Sequence, residues 1–172
     1  MNIFLVGYMG SGKSTIGKQL SAILDFNFLD FDNLIEEKED AIISTIFKNK
    51  GEVYFRKQEY KYLLELFKYD NHVVSLGGGT PCYGHNMEQI KAQDNVVTVY
   101  LKAKIPTLVD RLILEKEKRP LISHIDDRAS LTEFVGKHLF ERSKFYLKSD
   151  LVIDVDDLSP EKVVNQIVAL LF

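Results

Sequence analysis

The apolar positions along the chain fall into two alternating patterns. Short, continuously apolar runs rich in β-branched residues occur at 3–6, 27–30, 72–76, 96–101 and 151–155. Runs of this kind suit strands covered on both faces, as in a parallel sheet. Between them, apolar residues recur at spacings of three and four over 13–24, 32–48 with an interruption, 51–68, 105–115, 127–147 and 160–171. That periodicity predicts helices. Alternating strands and helices predict one doubly wound α/β domain over 1–172, without repeats or an interdomain linker. Two segments are less regular. The charged, helical stretch 31–60 lies between the second and third strands. The stretch 115–126 holds Pro120, which breaks a helix, and reads as an exposed flap. Excursions of this kind on an α/β core are often lids or substrate platforms.

Strand one runs into GYMGSGKST at 7–15, and a helix follows. The spacing Gly7-x4-Gly12-Lys13-Ser14 is a P-loop. Backbone N–H groups of Gly10, Ser11, Gly12, Lys13, Ser14 and Thr15 can converge on phosphate oxygens at a helix N-terminus. Lys13 can reach the β- and γ-phosphates, and Ser14 can ligate Mg²⁺. The loop therefore predicts a nucleoside triphosphate, but not where its phosphate goes. A small-molecule kinase and a hydrolysing switch both remain open. The guanine-reading Asn-Lys-x-Asp motif of GTPases is missing. The third strand ends in Val73-Val74-Ser75-Leu76, without a Walker-B aspartate.

Further chemistry belongs to the same rim of the expected sheet. Asp30 and Asp32 end the second strand, and in extended chain they point the same way. One could face a metal through water and the other accept a proton, although either could instead cap the next helix. Gly77-Gly78-Gly79 follow the third strand and offer backbone N–H groups to an anion or hydroxyl. Arg56 shares a stripe with Val53, Tyr60, Leu63 and Leu64. Arg142 shares another with Leu131, Val135, His138, Leu139 and Tyr146. An arginine on an inward stripe usually has an anionic partner, either a ligand or an internal carboxylate such as Glu59 or Glu141; the alternative is a side chain that snorkels to solvent. Arg119, in the flap with Lys116 and Lys118, could neutralise a moving phosphoryl group.

The pieces GYMGSGKST (7–15), FLDFD (28–32), GEVYFRKQE (51–59), SLGGGTP (75–81), RPLI (119–122) and FERSKFYLKSD (140–150) together resemble the shikimate kinase family. The resemblance implies a nucleoside-monophosphate-kinase-like P-loop fold: a five-stranded parallel sheet with helices on both faces, a substrate-binding insertion at about 31–60 and a lid at about 115–126. It implies phosphorylation of the 3-hydroxyl of shikimate by ATP with Mg²⁺, in aromatic amino acid biosynthesis. Asp32 would contact that hydroxyl as base, and Asp30 would support Mg²⁺ beside Ser14. Arg56 and Arg142 would grip the substrate carboxylate, with Gly78 and Gly79 helping to hold the ring. Arg119 would close over ATP, and Arg111 and Pro160 would lie on the nucleotide side. The acidic residues of 154–157 depart from the family, which often has a basic residue there. The rival acceptors are gluconate and nucleoside monophosphates, and the rival class is a nucleotide-binding switch.

Composition changes this picture little. Of 172 residues, 45% are hydrophobic and 27% charged, which is ordinary for a globular domain. The net charge of -3 argues against a general affinity for nucleic acid or anionic membrane. The lone cysteine, Cys82, precludes an internal disulfide, and a strand starting at residue 2 or 3 leaves no room for a leader; both favour a cytoplasmic protein. Cys82 reads as a packing residue. His72, His85, His124 and His138 lack metal-ligand spacing, and His138 reads as packing. A monomer is expected.

Overall fold

The computed structural model describes residues 1–116 and 119–172. Lys118, one of the flap cations, lies outside them. Five strands form one wholly parallel sheet: β1 (Asn2–Val6), β2 (Asn27–Asp30), β3 (His72–Ser75), β4 (Val96–Lys102) and β5 (Leu151–Asp154). Their order is β2-β3-β1-β4-β5, so β1 is central. Ile3 pairs in register with Val73 on one side and Val97 on the other. All five residues of β1 are buried, as a central strand requires. The edge strands β2 and β5 expose more of their residues.

The helices are α1 (Lys13–Leu24), α2 (Phe31–Glu39), α3 (Ile43–Leu66), α4 (Asn86–Lys91), α5 (Ile105–Glu115), α6 (Arg128–Tyr146) and α7 (Pro160–Leu171). They cover both faces of the sheet. On one, α1 packs on β2 and β3 and against α7; elsewhere α4 meets β4, and α5 packs along α6. A single apolar core joins sheet and helices, with Phe4, Leu20, Phe31, Leu63, Leu101, Leu112 and Tyr146 wholly or almost wholly buried. Burial of this kind stabilises by roughly 25 cal/mol per Å² of apolar surface removed from water.

The expected helix with an interruption over 32–48 and the separate helix at 51–68 partition differently. The break falls at Asp40, which takes a left-handed φ of 51° and donates its N–H to Glu36 and Glu37 carbonyls. The second expected break is a kink within α3, at Gly51, with φ 81° and ψ 170°. A short 3-10 turn, Thr80–Cys82, and α4 follow the glycine triplet and were not anticipated. The stripe through Arg56 is also rotated from expectation. Val53 is 72% exposed, while Phe55, Glu59, Tyr62, Leu63 and Leu66 are buried. On α6 the expected stripe holds: Leu131, Val135 and Tyr146 are buried.

The described part of the flap is more compact than the sequence suggests. Backbone bonds Arg119–Lys116, Ile122–Arg119 and Ile125–Ile122 close successive turns. Ile122 is fully buried, whereas neighbouring Leu121 is 61% exposed.

Candidate active site

Because the strands are parallel, every chain segment leaving a strand's carboxyl end emerges on one rim. Open α/β sheets bind ligands there. The P-loop leaves β1, the Asp30–Asp32 segment leaves β2, and the glycine triplet leaves β3. A cleft of about 510 Å³ opens over this rim. It is lined by Gly10 through Thr15, Asp30, Asp32, Ser75, Gly78, Arg111, Arg119 and Pro160, among others.

At the phosphate end of the cleft, Gly12 caps α1 in the left-handed region, and the first-turn N–H groups of α1 face the opening. Lys13 folds back onto its own loop, donating to the carbonyls of Gly7 (2.8 Å) and Tyr8 (3.1 Å). Burial pulls its ammonium down to about 8, with Asp32 opposing the fall and Arg119 adding to it. The Ser14 hydroxyl donates to Asp30 Oδ2 at 2.8 Å and lies 3.5 Å from the Ser75 hydroxyl. Leu114, Val155, Leu158 and Val163 add apolar lining to the same cleft, together with Arg111 and Pro160. Arg111 is fixed by donating to the Gly10 carbonyl at 3.0 Å. The acidic segment does not line this cleft with its carboxylates. Asp156 instead accepts from the Lys104 N–H (3.0 Å) and the Thr107 hydroxyl (2.5 Å), capping α5.

Asp30 and Asp32 both face the cleft, but not through strand alternation. α2 begins at Phe31, so Asp30 is its N-cap and Asp32 lies in its first turn. Asp30 caps by accepting from the Asn33 N–H at 3.4 Å and also takes the Ser14 hydroxyl. The capping alternative and the polar partnership with Ser14 therefore coexist. Asp32 is pushed up from 3.8 to about 6 by burial, with the Asp30 charge beside it adding to the rise. It packs against Gly77, where a β-carbon would lie 2.5 Å from Asp32 Oδ1. Gly77 is therefore needed for close approach, a role the sequence reading did not give it.

Both guanidiniums come to the glycine triplet, just past the cleft lining. A β-carbon on Gly78 would sit 3.6 Å from the Gly7 carbonyl and 3.7 Å from Arg142 Nη1; one on Gly79 would sit 3.2 Å from Arg56 Nη2. Arg56 Nη1 donates to Glu59 Oε2 at 2.8 Å, and Glu59 Oε1 accepts from the Thr80 hydroxyl at 2.6 Å. The internal carboxylate considered for Arg56 is thus present at Nη1, and a second, Glu52 Oε1, stands 3.6 Å from the buried Nε without a hydrogen bond to it; Nη2 is the part of the fork that neither takes among the described residues. Arg142 forms no ion pair among the described residues. The Tyr146 hydroxyl donates to the Gly78 carbonyl at 2.6 Å, locking the triplet to α6. Arg119 borders the cleft and pairs with Glu115 at 2.7 Å.

Three members of this cluster escaped sequence reasoning. Ser75 ends an inner strand at the rim, and its position before the triplet was the available signal. Glu59 was noticed as a neighbour of Arg56, but its burial (1% exposed) and its bridge to Thr80 were not legible. Tyr83 stacks on Arg56 and carried no signal at all. His138 lies on the inward stripe against Phe134, with Nδ1 3.3 Å from the Tyr8 hydroxyl. Cys82 is half-buried, and burial pushes its thiol up to about 11, in keeping with a packing role.

A P-loop on the central strand, a carboxylate beside it and guanidiniums around a neighbouring glycine turn define a P-loop kinase of a small anionic acceptor. The family model for shikimate kinase matches residues 9–172. The shikimate kinase of Flavobacterium johnsoniae is 45% identical over 170 residues, 98% of each chain. Among solved structures, the shikimate kinase of Bacteroides thetaiotaomicron superposes with a TM-score of 0.92 at 34% identity, covering 99% of this chain and 98% of that one. The Acinetobacter baumannii shikimate kinase, solved in complex with shikimate, gives a TM-score of 0.85 at 32% identity over 99% and 92%. The chain belongs to the shikimate kinase family, whose enzymes phosphorylate shikimate with ATP.

Proposed function

We propose that the cleft transfers the γ-phosphoryl group of ATP to the 3-hydroxyl of shikimate, with the triphosphate on the P-loop and the acceptor over the glycine triplet. The observation that carries this reading is the meeting of Lys13, Asp32, Arg56 and Arg142 around Gly77–Gly79. Arg142 and the Nη2 of Arg56 take the acceptor carboxylate, which two cations fix in orientation as well as position. The amides of Gly78 and Gly79 support the ring. One hydroxyl is then directed to Asp32.

In the transfer, an acceptor oxygen–phosphorus bond forms while the bond from the γ-phosphorus to the β,γ-bridging oxygen breaks. The hydroxyl proton passes to the Asp32 carboxylate, and ADP departs. Phosphoryl transfer runs through a loose transition state, so orientation by Asp32 matters more than early proton removal. Lys13, and Arg119 once it leaves Glu115, offset charge on the moving phosphoryl group. Arg111 and Pro160 flank the base. Ser14 and Asp30 supply two hard oxygen donors 2.8 Å apart beside the phosphate cradle, a set that suits Mg²⁺. Bound there, Mg²⁺ would neutralise β- and γ-phosphate charge.

We further assign residues 31–60 as the substrate platform and 115–126 as the lid of one domain, acting as a cytoplasmic monomer on small molecules and not on nucleic acid. No helix among the described residues is long and apolar enough to cross a membrane.

A coupled ADP-release assay across shikimate, gluconate and nucleoside monophosphates tests the assignment. ADP release should depend on shikimate alone. Asp32→Asn should lower kcat at least about 100-fold, the usual worth of a proton acceptor, with ATP affinity within about twofold of the wild type. Turnover on gluconate, or ATP hydrolysis indifferent to shikimate, would replace this reading with one of its rivals.

A further inference from the structure

Arg56 is held by more than its ion pair. Its guanidinium carbon lies 3.5 Å from the centroid of the Tyr83 ring, a direct stack. Phe55 and Phe47 stand at 5.0 and 5.9 Å. The Tyr83 hydroxyl donates to Glu52 Oε1 at 2.8 Å, and that same oxygen lies 3.6 Å from Arg56 Nε. A β-carbon on Gly79 would lie 3.2 Å from Arg56 Nη2 and 3.4 Å from Tyr83 Cε2. Glycine backbone, guanidinium and phenol ring are therefore layered without slack.

The ring is itself anchored by local structure. Tyr83 ends the 3-10 turn Thr80–Cys82, and its carbonyl accepts from the Asn86 N–H at 3.1 Å. Buried Asn86 returns its side-chain amide to the Thr80 carbonyl at 2.8 Å. Glu59 ties the start of this turn to Arg56 from the other side, through Thr80. Arg56 thus sits between a carboxylate that fixes one edge and a ring that fixes its plane.

We propose that Tyr83 is a positioning residue for recognition of the acceptor carboxylate: its ring sets the plane of the Arg56 guanidinium, and so the direction in which Nη2 donates. This rests on the reading of Arg56 as a carboxylate ligand. A long arginine side chain loses rotamer freedom when it binds, and an aromatic plate removes part of that freedom in advance. Cation–π attraction over a half-buried ring adds to the constraint. The Tyr83 hydroxyl adds to this, because it shares Glu52 Oε1 with Arg56 Nε and so ties ring and guanidinium to one carboxylate oxygen.

The test compares Tyr83→Leu, Tyr83→Phe and Arg56→Ala in the full chain, by steady-state kinetics and by calorimetric titration with shikimate. Tyr83→Leu should raise the KM and Kd for shikimate about five- to tenfold, the span of a partly desolvated cation–π contact, with kcat and the KM for ATP within about twofold. Tyr83→Phe keeps the plate and should recover most of the wild-type KM. Thermal melts establish that both variants are folded. A Tyr83→Leu enzyme with unchanged shikimate KM would overturn the proposal, as would equal defects in the Leu and Phe variants or parallel losses in kcat and ATP binding. Arg56→Ala separates the two layers. If it leaves shikimate affinity intact, the carboxylate assignment itself falls; if it abolishes affinity while Tyr83→Leu does nothing, only the role of Tyr83 falls.

Discussion

Asp32 sits where burial and charge act against its ionisation, and this has two measurable consequences of opposite sign. Its carboxyl titrates near 6 in the fold against an ordinary 3.8, because burial and then Asp30 disfavour the anion. The reaction needs the anion, so kcat/KM should fall as pH drops through about 6; the separate fall expected as pH rises through about 8 belongs to Lys13, whose ammonium the transfer also uses. Stability runs the other way. Between about pH 4 and 6 the folded chain binds more protons at this site than the unfolded chain, so stability decreases as pH rises through that window and stays lower above it. Asp32→Asn removes the ionisation. It should therefore melt higher than the wild type at pH 7, by on the order of 1–2 kcal/mol after solvent screening, with the gap closing near pH 4. Paired thermal melts at the two pH values check this. An equal gap at both would detach the effect from titration. At this scale the sequence was informative where backbone spacing sets the chemistry, as in Gly12-Lys13-Ser14. It offered Glu59 as a partner of Arg56 but was silent on its bridge to Thr80, on the close approach at Gly77 and on the stacking of Tyr83, which arise from approaches of 2.5–3.5 Å between segments far apart in the chain.

Helix α3 carries Arg56 on the far side of a kink, and the kink depends on one residue. Gly51 holds φ 81° and ψ 170°, a region that is strained for any residue with a β-carbon. A β-carbon there would meet nothing within 4 Å, so the cost of Gly51→Ala is backbone strain and not collision. The strain should destabilise by roughly 1–3 kcal/mol or straighten the helix. Elements across the kink are tied at Glu39, whose carboxylate accepts from Tyr54 and Tyr62 hydroxyls at 2.7 Å each and from Lys50 at 3.2 Å. Because this cluster holds α3 to the end of α2, strain released at residue 51 is borne by the segment bearing Arg56. Gly51→Ala should lower both the melting temperature and shikimate affinity, with ATP affinity unchanged. A shift in melting temperature alone would confine Gly51 to stability. The break and the kink were visible as interruptions in periodicity, but their type was not. The buried stripe was misphased because Glu59, an acidic residue, occupies an inward position and exposed Tyr60 imitates an apolar one. The six residues of α4 are too few for a period of 3.6 to show.

Parallel pairing is the property of the whole molecule that makes the site. Once β1, β2 and β3 run the same way in adjacent positions, three loops distant in sequence must share a rim. That outcome was legible from alternation alone, since continuous apolar strands separated by helices leave few other topologies. How residues 119–126 seat against this frame was not legible, because it depends on which of their apolar side chains turns inward. Ile122 is fully buried while its neighbour Leu121 is largely exposed, Ile125 packs on the core only in part, and local backbone bonds hold the rest of the turn from Arg119 to Ile125. Ile122 therefore acts as the apolar pin of the segment that brings Arg119 to the cleft. Truncating a buried isoleucine to alanine costs about 2–5 kcal/mol, and here the loss falls first on a segment with little other buried apolar surface. Ile122→Ala should raise amide hydrogen exchange in 119–126 while β1 and β4 keep their protection. The KM for ATP should rise with it, because Arg119 is no longer presented. Loss of protection spread equally through the central strands would instead make Ile122 a support of the common core, and residues 119–126 would need a different pin.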